Sequence, residues 1–316
     1  MRGSRVGLLP KRAACIGVWA CFATVAAAQP SQRHLQFDIG VGQESQTSPV
    51  FQISPEGNIL YLNGSQGLYG GHVRGSLQGS ASWDWGAGVS TAVSADATLK
   101  RSPQTPDFNL SSVNLQPSIR IPLGQASVGL GLNLQSYDAA DRHFRDSTGV
   151  QLDWTRATPQ GLWGVVAEVA RYKHPADLSD MDATASSLVL LRQYTNPLPE
   201  IDGIDFSFIV GQEINDHGFR DLSNHSAMLQ ANVRWNWLDA DWSLGQSWRL
   251  ARFEESTFPG EPARSDDTVS TDLAAQWPLS AKKSLRVEIN QARNISNTRL
   301  YDNNMLQWSV TLRREW

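Results

Sequence analysis

The chain ends on Asn304-Met305-Leu306-Gln307-Trp308-Ser309-Val310-Thr311-Leu312-Arg313-Arg314-Glu315-Trp316, and this stretch predicts the fold. Its apolar positions are separated by single polar residues, and they are Leu306, Trp308, Val310, Leu312 and Trp316. Successive side chains of a β-strand point to opposite faces, so the stretch predicts a strand with one apolar and one polar face. An edge strand of a soluble protein would show the same alternation. The pattern of the remaining chain is needed to distinguish such a strand from one that crosses a membrane.

The same alternation recurs toward the N-terminus, and the turns between the segments differ in length. Short turns at 122–125 and 158–161 each precede a longer polar loop, at 138–147 and 173–182. Transmembrane β-barrels have short periplasmic turns and long outer loops, whereas a soluble sandwich needs no such alternation. We therefore predict an all-β, transmembrane, antiparallel up-and-down barrel of about 14 strands, or 16 if residues 51–62 supply a spanning hairpin.

Three segments of this assignment carry specific predictions. The alternation is clearest from 83 to 99, which predicts one long third strand after a glycine-rich second strand at 71–81. Residues 44–70 predict either an outer loop containing a small hairpin or two further strands. A porin commonly folds one long loop into its lumen, and 44–70 is the segment long enough for that.

The N-terminus predicts export. Basic residues up to Arg12 precede an apolar, small-residue run at 13–26, and Ala26-Ala27-Ala28 follows. This pattern is that of a secretory signal peptide, so we expect domain 1–28 to be a Sec signal cleaved after Ala28 and domain 29–316 to be the barrel. A lipoprotein signal using Cys21 is the alternative. Both cysteines lie in this segment, so the mature chain has no disulfide.

Composition excludes several classes. A net charge of −4 argues against a nucleic-acid binder with a basic stripe. After residue 28 no run of apolar residues is long enough for a transmembrane helix. The mean hydropathy of −0.34 fits a barrel, because polar lumen positions dilute the lipid-facing ones. The 12 tryptophans fit membrane interfaces, where one end of the ring stays wet.

Charged residues occupy the polar parity of the strands and are expected to line the lumen. These lumen candidates are Asp84, Asp96, Arg120, Asp153, Glu168, Arg234, Arg249, Arg286 and Glu288. Such residues either pair with one another to stiffen the wall or line a path for a solute, and both alternatives stay open.

No enzymatic site is predicted. His225 and Ser226 are adjacent in sequence, but neighbours on a strand face opposite ways, so they do not form a dyad. Glycine-rich phosphate loops and metal-spaced Cys/His sets are absent from the sequence. We expect no cofactor and no catalytic activity. Asp177, Asp180 and Asp182 either bind a divalent cation that bridges lipopolysaccharide or form a solvated loop.

The closing strand resembles the C-terminal signature of bacterial outer-membrane β-barrels. Alternate apolar positions and a terminal aromatic residue carry this resemblance, and the matching residues are Trp308, Val310, Leu312 and Trp316. Arg314 departs from the signature, since that position usually holds an apolar residue. The resemblance implies recognition by the barrel-assembly machinery and a location in the outer membrane of a Gram-negative cell, in contact with its lipid and lipopolysaccharide.

Two loop phrases, 141–147 and 294–302, resemble the barrel of surface lipoprotein assembly modifiers. That family implies an export barrel for a surface or secreted protein, with an exported client or a periplasmic partner. The family usually carries an N-terminal periplasmic repeat domain, whereas here the first strand is expected shortly after the signal peptide. The alternative functions are a porin-like diffusion channel for small solutes and a polysaccharide export barrel.

Overall fold

The computed structural model describes residues 30–53, 59–258 and 260–316, and the predicted signal peptide lies outside these residues. Its strands form one closed antiparallel barrel in which each strand pairs with its neighbours in sequence and the first strand pairs with the last. The predicted fold class, a closed up-and-down barrel of 14 strands, is confirmed.

The strands are longer than those of most soluble sheets, as expected for strands that are tilted across a bilayer. They are β1 (Gln32–Ile53), β2 (Ile59–Asp84), β3 (Ser90–Arg101), β4 (Leu110–Leu123), β5 (Ala126–Ala139), β6 (Arg142–Thr158), β7 (Gly161–Lys173), β8 (Ala183–Leu198), β9 (Ile201–Asn215), β10 (Asn224–Trp237), β11 (Ala240–Phe253), β12 (Ser265–Ser280), β13 (Lys283–Ser296) and β14 (Asn303–Glu315).

Helical structure in the described chain is limited to three short 3-10 helices between strands. They are Pro106–Phe108, Ala176–Met181 and Arg299–Tyr301. No helix in the described ranges is long and apolar enough to cross a membrane.

The two ends of the barrel differ in their connections. One end, here called the terminal rim, holds the start of β1, the C-terminus and the turns at 85–89, 124–125, 159–160, 199–200, 238–239 and 281–282. The opposite end, the loop rim, holds the described connections at 102–109, 140–141, 174–182, 216–223, 254–258 with 260–264, and 297–302. The predicted alternation of short turns and long loops is thus present, with one exception at 140–141.

Apolar side chains cover the outside of the wall. Leu130, Leu152 and Val169 are exposed on the outer face, whereas Asp153 and Ser309, on the opposite parity, are buried. So much exposed apolar surface on a closed barrel is typical of a wall that faces lipid. Most tryptophans lie near the terminal rim, where interfacial rings anchor a barrel, and they are Trp83, Trp85, Trp154, Trp163, Trp235, Trp237, Trp242, Trp277 and Trp316.

The prediction of one strand over 83–99 is wrong, because a turn at 85–89 divides it. Gly86 and Gly88 have φ of +87° and +76°, and Ala87 between them has φ of +49°. Glycine adopts this left-handed region without steric cost, so the chain reverses there. The small residues of this turn alternate with their neighbours as they would in a strand, which explains the wrong prediction. The turn connects β2 to β3.

Residues 44–70 do not add two strands to the barrel. Their described parts continue β1 and β2, which pair with each other as far as Ile53 and Ile59, whereas pairing with β14 ends at Thr47 and pairing with β3 begins at Val73. The segment therefore contains the small hairpin of the first alternative. The prediction of a loop at 138–147 is wrong, because β5 and β6 meet at a two-residue turn. Ala140 and Asp141 have positive φ there, as a tight hairpin turn requires.

The seam between β1 and β14 closes the barrel, and an ion pair reinforces it. The Arg313 guanidinium donates to both carboxylate oxygens of Asp38, at 3.0 and 3.1 Å, and to Gln276 at 3.2 Å. Asp38 also accepts a hydrogen bond from Gln36. One arginine therefore ties the first strand to the last strand and to β12.

Arg314, the departure from the assembly signature, faces outward at the terminal rim. Its guanidinium lies 4.7 Å from the centre of the Trp316 ring. A cation over an aromatic face is stabilised by the ring quadrupole, which explains how a charge fits at this apolar position.

We expect Asp38→Ala to lower the free energy of unfolding by about 1–3 kcal/mol, because it leaves the guanidinium of Arg313 without its carboxylate at a mostly buried site. Urea unfolding of the barrel in lipid vesicles measures the change. The control is Asp205→Ala, which removes the partner of the half-exposed Arg234 and should cost about 0–1 kcal/mol. Equal losses in the two variants would contradict a special role of the seam pair.

Candidate functional site

Several inward side chains are exposed to the space inside the barrel. Arg120 and Arg234 lie on the inward parity of their strands, yet their side chains are 49% and 52% exposed. Both arginines lie near the terminal rim, and Gln230, on the inward parity in the middle of β10, is exposed as well. The space inside the wall is therefore open from the terminal rim to the middle of the barrel.

Several lumen charges pair with one another, either between strands or along one strand. Of the predicted lumen residues, Arg120 contacts Asp153 at 2.5 Å and Arg286 contacts Glu288 at 3.4 Å. Arg234 contacts a residue outside the predicted set, Asp205, at 3.4 Å. These pairs fix the arginine heads against the wall, as expected if the charges stiffen it.

Some lumen charges were missed by the sequence reasoning. Glu44 pairs with Lys100 at 2.5 Å, and both project inward near the loop rim. Asp205 lies between the outward residues Ile204 and Phe206, so strict use of parity would have identified it. Glu44 and Lys100 were missed for a different reason, because they lie in segments that were assigned to a loop or to strand ends.

A glycine allows the Arg120–Asp153 pair to form. Gly129 is the register partner of both residues and lies between them on β5. A Cβ atom at Gly129 would collide with the Asp153 carboxylate. The absence of a side chain there lets the carboxylate cross one strand and reach the guanidinium.

Three lumen carboxylates are held by amides instead of cations. Asn114 donates to Asp96 at 3.2 Å, and Asn133 donates to Glu168 at 3.3 Å. Asp272 accepts from Asn290 in the same way. Within the described residues none of the three has a cation within 4 Å, so an amide steadies each one and leaves its negative charge for the lumen.

Two further predicted lumen residues have no ion pair in the part of the chain that the structure describes. Arg249 is exposed on the inward parity of β11, and Asp84 is exposed at the end of β2, on the terminal rim. Both charges are thus available to solutes.

One part of the lumen wall is apolar. Val166, Val189, Ile209 and Met228 are successive register partners across β7, β8, β9 and β10. Leu191 also faces inward, over Gly164. This strip explains the irregular pattern of β8, where outward and inward positions are both apolar.

The loop between β7 and β8 is anchored by a single carboxylate. Asp182 accepts hydrogen bonds from the Lys173 ammonium at 2.5 Å and from the His174 backbone N–H at 2.7 Å. These bonds, that of Lys173 first, lower the pKa of Asp182 to about 2. Among the described residues no cluster of His, Asp or Glu could hold a metal, and Asp182 faces Lys173 instead of a cation site.

His225 and Ser226 lie on opposite faces of β10. His225 projects outward, 4.0 Å from Glu254, and Ser226 projects inward. These positions agree with the prediction that the two neighbouring side chains face opposite ways.

The comparisons with known proteins return only distant similarities. The loop L8 deletion mutant of OmpT, an outer membrane protein of Vibrio cholerae, has a TM-score of 0.46 and 8% identity over 90% of this chain and 99% of that chain. The anion-selective porin from Comamonas acidovorans has a TM-score of 0.44 and 10% identity, over 90% of this chain and 100% of that chain. Pseudomonas aeruginosa OccK2 (OpdF) has a TM-score of 0.47 and 8% identity, over 91% of this chain and 99% of that chain. No protein-family model and no curated protein sequence matches.

At such TM-scores and identities, these similarities assign neither a family nor a substrate. The resemblance to surface lipoprotein assembly modifiers is not shown by any of them.

We expect the 174–182 loop to loosen as the pH falls from 4 to 2. The pKa of Asp182 is lowered from 3.8 to about 2, so its contribution to stability is complete above pH 4 and is lost as pH falls through 2. Pepsin, which is active across this range, should cleave 174–182 faster at pH 2 than at pH 4. The Asp182→Asn variant should already be cleaved rapidly at pH 4, and an unchanged rate there would contradict the assignment.

Proposed function

We propose that this protein is an outer-membrane channel through which small hydrophilic solutes diffuse. The observation that carries the proposal is the exposure of the inward Gln230, in the middle of β10, together with the half exposure of Arg120 and Arg234 nearer the terminal rim. Water that reaches these side chains can also carry solutes. The lumen lining is polar and charged over most of its surface, as in barrels with aqueous pores.

The arrangement of the described chain supports a pore without a plug. Each described element is a wall strand or a short 3-10 helix between strands at the loop rim. With 14 strands about 4.8 Å apart and tilted by about 40°, the backbone circumference is about 88 Å and the diameter about 28 Å. Such a wall leaves room for an aqueous path between the inward side chains.

The location follows from the outer surface. The belt of exposed apolar side chains would face lipid, and the tryptophans near the terminal rim would lie at an interface. With a Sec signal at 1–28, a barrel of this kind would reach the outer membrane and contact its lipid and lipopolysaccharide. The outward residues Trp308, Val310, Leu312 and Trp316 are the proposed assembly signal for the barrel-assembly machinery.

Export of a protein client is the second candidate function. It is supported by the resemblance of segments 141–147 and 294–302 to the barrel of surface lipoprotein assembly modifiers. The second phrase forms an ordered turn at the loop rim, in which Asn294 donates to the Tyr301 carbonyl at 2.8 Å and the Ser296 N–H donates to Asp302 at 2.6 Å. An export barrel would be closed at rest and would act with a client or a periplasmic partner.

Conductance of the refolded protein in a planar lipid bilayer separates the two functions. We expect steady, ohmic openings without any added partner, because described elements of the chain do not cross the lumen. A silent or briefly flickering barrel would overturn the diffusion channel and favour export.

We also expect charge reversal in the lumen to change ion selectivity. Arg249→Glu should shift the reversal potential in a salt gradient toward cations, because this inward residue has no carboxylate within 4 Å in the described chain. The matched control is Arg252→Glu on the outer face of the same strand, beside Asp267. Equal shifts in both variants, or none in Arg249→Glu, would contradict the assigned lumen path.

A further inference from the structure

Arg192 is an arginine buried on the outer face of the wall, near the terminal rim. It has the same parity as the exposed Leu188 and Leu190 of β8, so its side chain faces the lipid side. Despite that position the residue is only 8% exposed. Burying a cation is costly unless groups around it compensate the charge, so its surroundings indicate what the site can hold.

Aromatic rings surround this guanidinium. Its centre lies 4.8 Å from the ring centre of Trp163 and 4.2 Å from that of Tyr194. Nη1 donates to the Thr158 hydroxyl at 3.3 Å, whereas the buried Nε has no acceptor among the described residues. The site therefore holds the arginine in place without satisfying every donor of its guanidinium.

A second arginine flanks the same tryptophan. Arg156 of β6 is the register partner of Trp163, and Trp163 is the register partner of Arg192. Adjacent strands are about 4.8 Å apart, so the two arginines start about 10 Å apart with one indole between them. Arg156 is exposed and makes no hydrogen bond or ion pair within the described chain.

No carboxylate of the described residues lies within 4 Å of Arg156 or Arg192. The acidic residue nearest to Arg156 in sequence is Asp153, which faces inward and pairs with Arg120, and the one nearest to Arg192 is Glu200, in the β8–β9 turn. Arg252, on the outer face near the loop rim, differs because Asp267 lies 2.9 Å away. The pair beside Trp163 is thus a local excess of positive charge.

The position relative to the apolar belt specifies the anion. Exposed Phe206 lies beside Arg192 as its register partner on β9, and exposed Leu190 continues the belt toward the middle of the wall, whereas Trp163 lies at its edge. An occupant must therefore combine a negative group at the edge with an apolar body along the belt. A phospholipid has this construction, and arginine binds phosphate oxygens through several N–H donors at once.

We propose that Arg156, Trp163 and Arg192 form a binding site for the phosphate of an anionic phospholipid, with its acyl chains along Leu190 and Phe206. The phosphate accepts from both guanidinium groups, and the Trp163 ring packs beside the headgroup. The site rests on the membrane insertion in the proposed function and is independent of whether the lumen conducts.

Native mass spectrometry of the detergent-solubilised barrel with added phosphatidylglycerol tests the site. The parent protein should retain the lipid and should retain phosphatidylcholine less. Each lost cation should lower the affinity for the anionic lipid about fivefold, so Arg156→Gln should bind about fivefold more weakly. Arg252→Gln, which removes an outward arginine elsewhere, should bind like the parent.

Arg192→Lys provides a second variant, because it keeps the charge and loses the planar donor set. We expect retention of phosphatidylglycerol to fall in this variant as well, while heat-modifiable migration in gels shows that the barrel is folded. Retention equal to the parent in both variants would overturn the proposal. Displacement of the lipid by millimolar inorganic phosphate would also overturn it, in favour of a site for free phosphate.

Conductance distinguishes failure of this site from failure of the proposed function. Arg156→Gln should conduct like the parent, because Arg156 faces outward. A barrel that binds the lipid without conducting would leave the site standing and overturn only the channel.

Discussion

The pairing of the first strand with the last is the constraint on which the structure depends. In hydrocarbon, an open sheet edge leaves backbone N–H and C=O groups without partners, and each one costs several kcal/mol. β1 and β14 remove that edge by pairing along their shared length, and the N–H of Trp316 donates to the Leu35 carbonyl at 2.9 Å. Arg313 and Asp38 add a charged contact at this seam, where a slip in register would separate them.

Closure also determines what each face of a strand meets. Once the sheet is closed, one parity faces lipid and the other faces an interior that is too wide for apolar side chains to fill. The inward positions are therefore largely polar, and many of their charges are held by ion pairs or amides, such as Arg120 with Asp153 and Asn114 with Asp96. The apolar strip around Val189 and Ile209 is the exception, and it gives one side of the lumen a different chemistry.

Near the terminal rim, the outer face compensates arginine differently from the lumen pairs described above. In those lumen pairs, carboxylates compensate the guanidinium groups of Arg120 and Arg234. At the terminal rim, Arg192 and Arg314 lie against the rings of Trp163, Tyr194 and Trp316. Rings shield a cation without cancelling its charge. That difference makes the outer arginines suited to a negatively charged partner from the membrane.

The sequence by itself determined the barrel class, the strand number of 14 and which side chains of most strands face outward. Alternation is a local property of a strand, so it can be recognised in each segment separately. It missed the turn at 85–89, since the glycines and small residues of this left-handed turn alternate as they would in a wall strand. Only the tertiary structure decided the contacts: Asp205 with Arg234, Asp153 across Gly129, and Arg192 between two rings. These contacts depend on register between strands, which closure of the whole sheet sets and no single segment encodes.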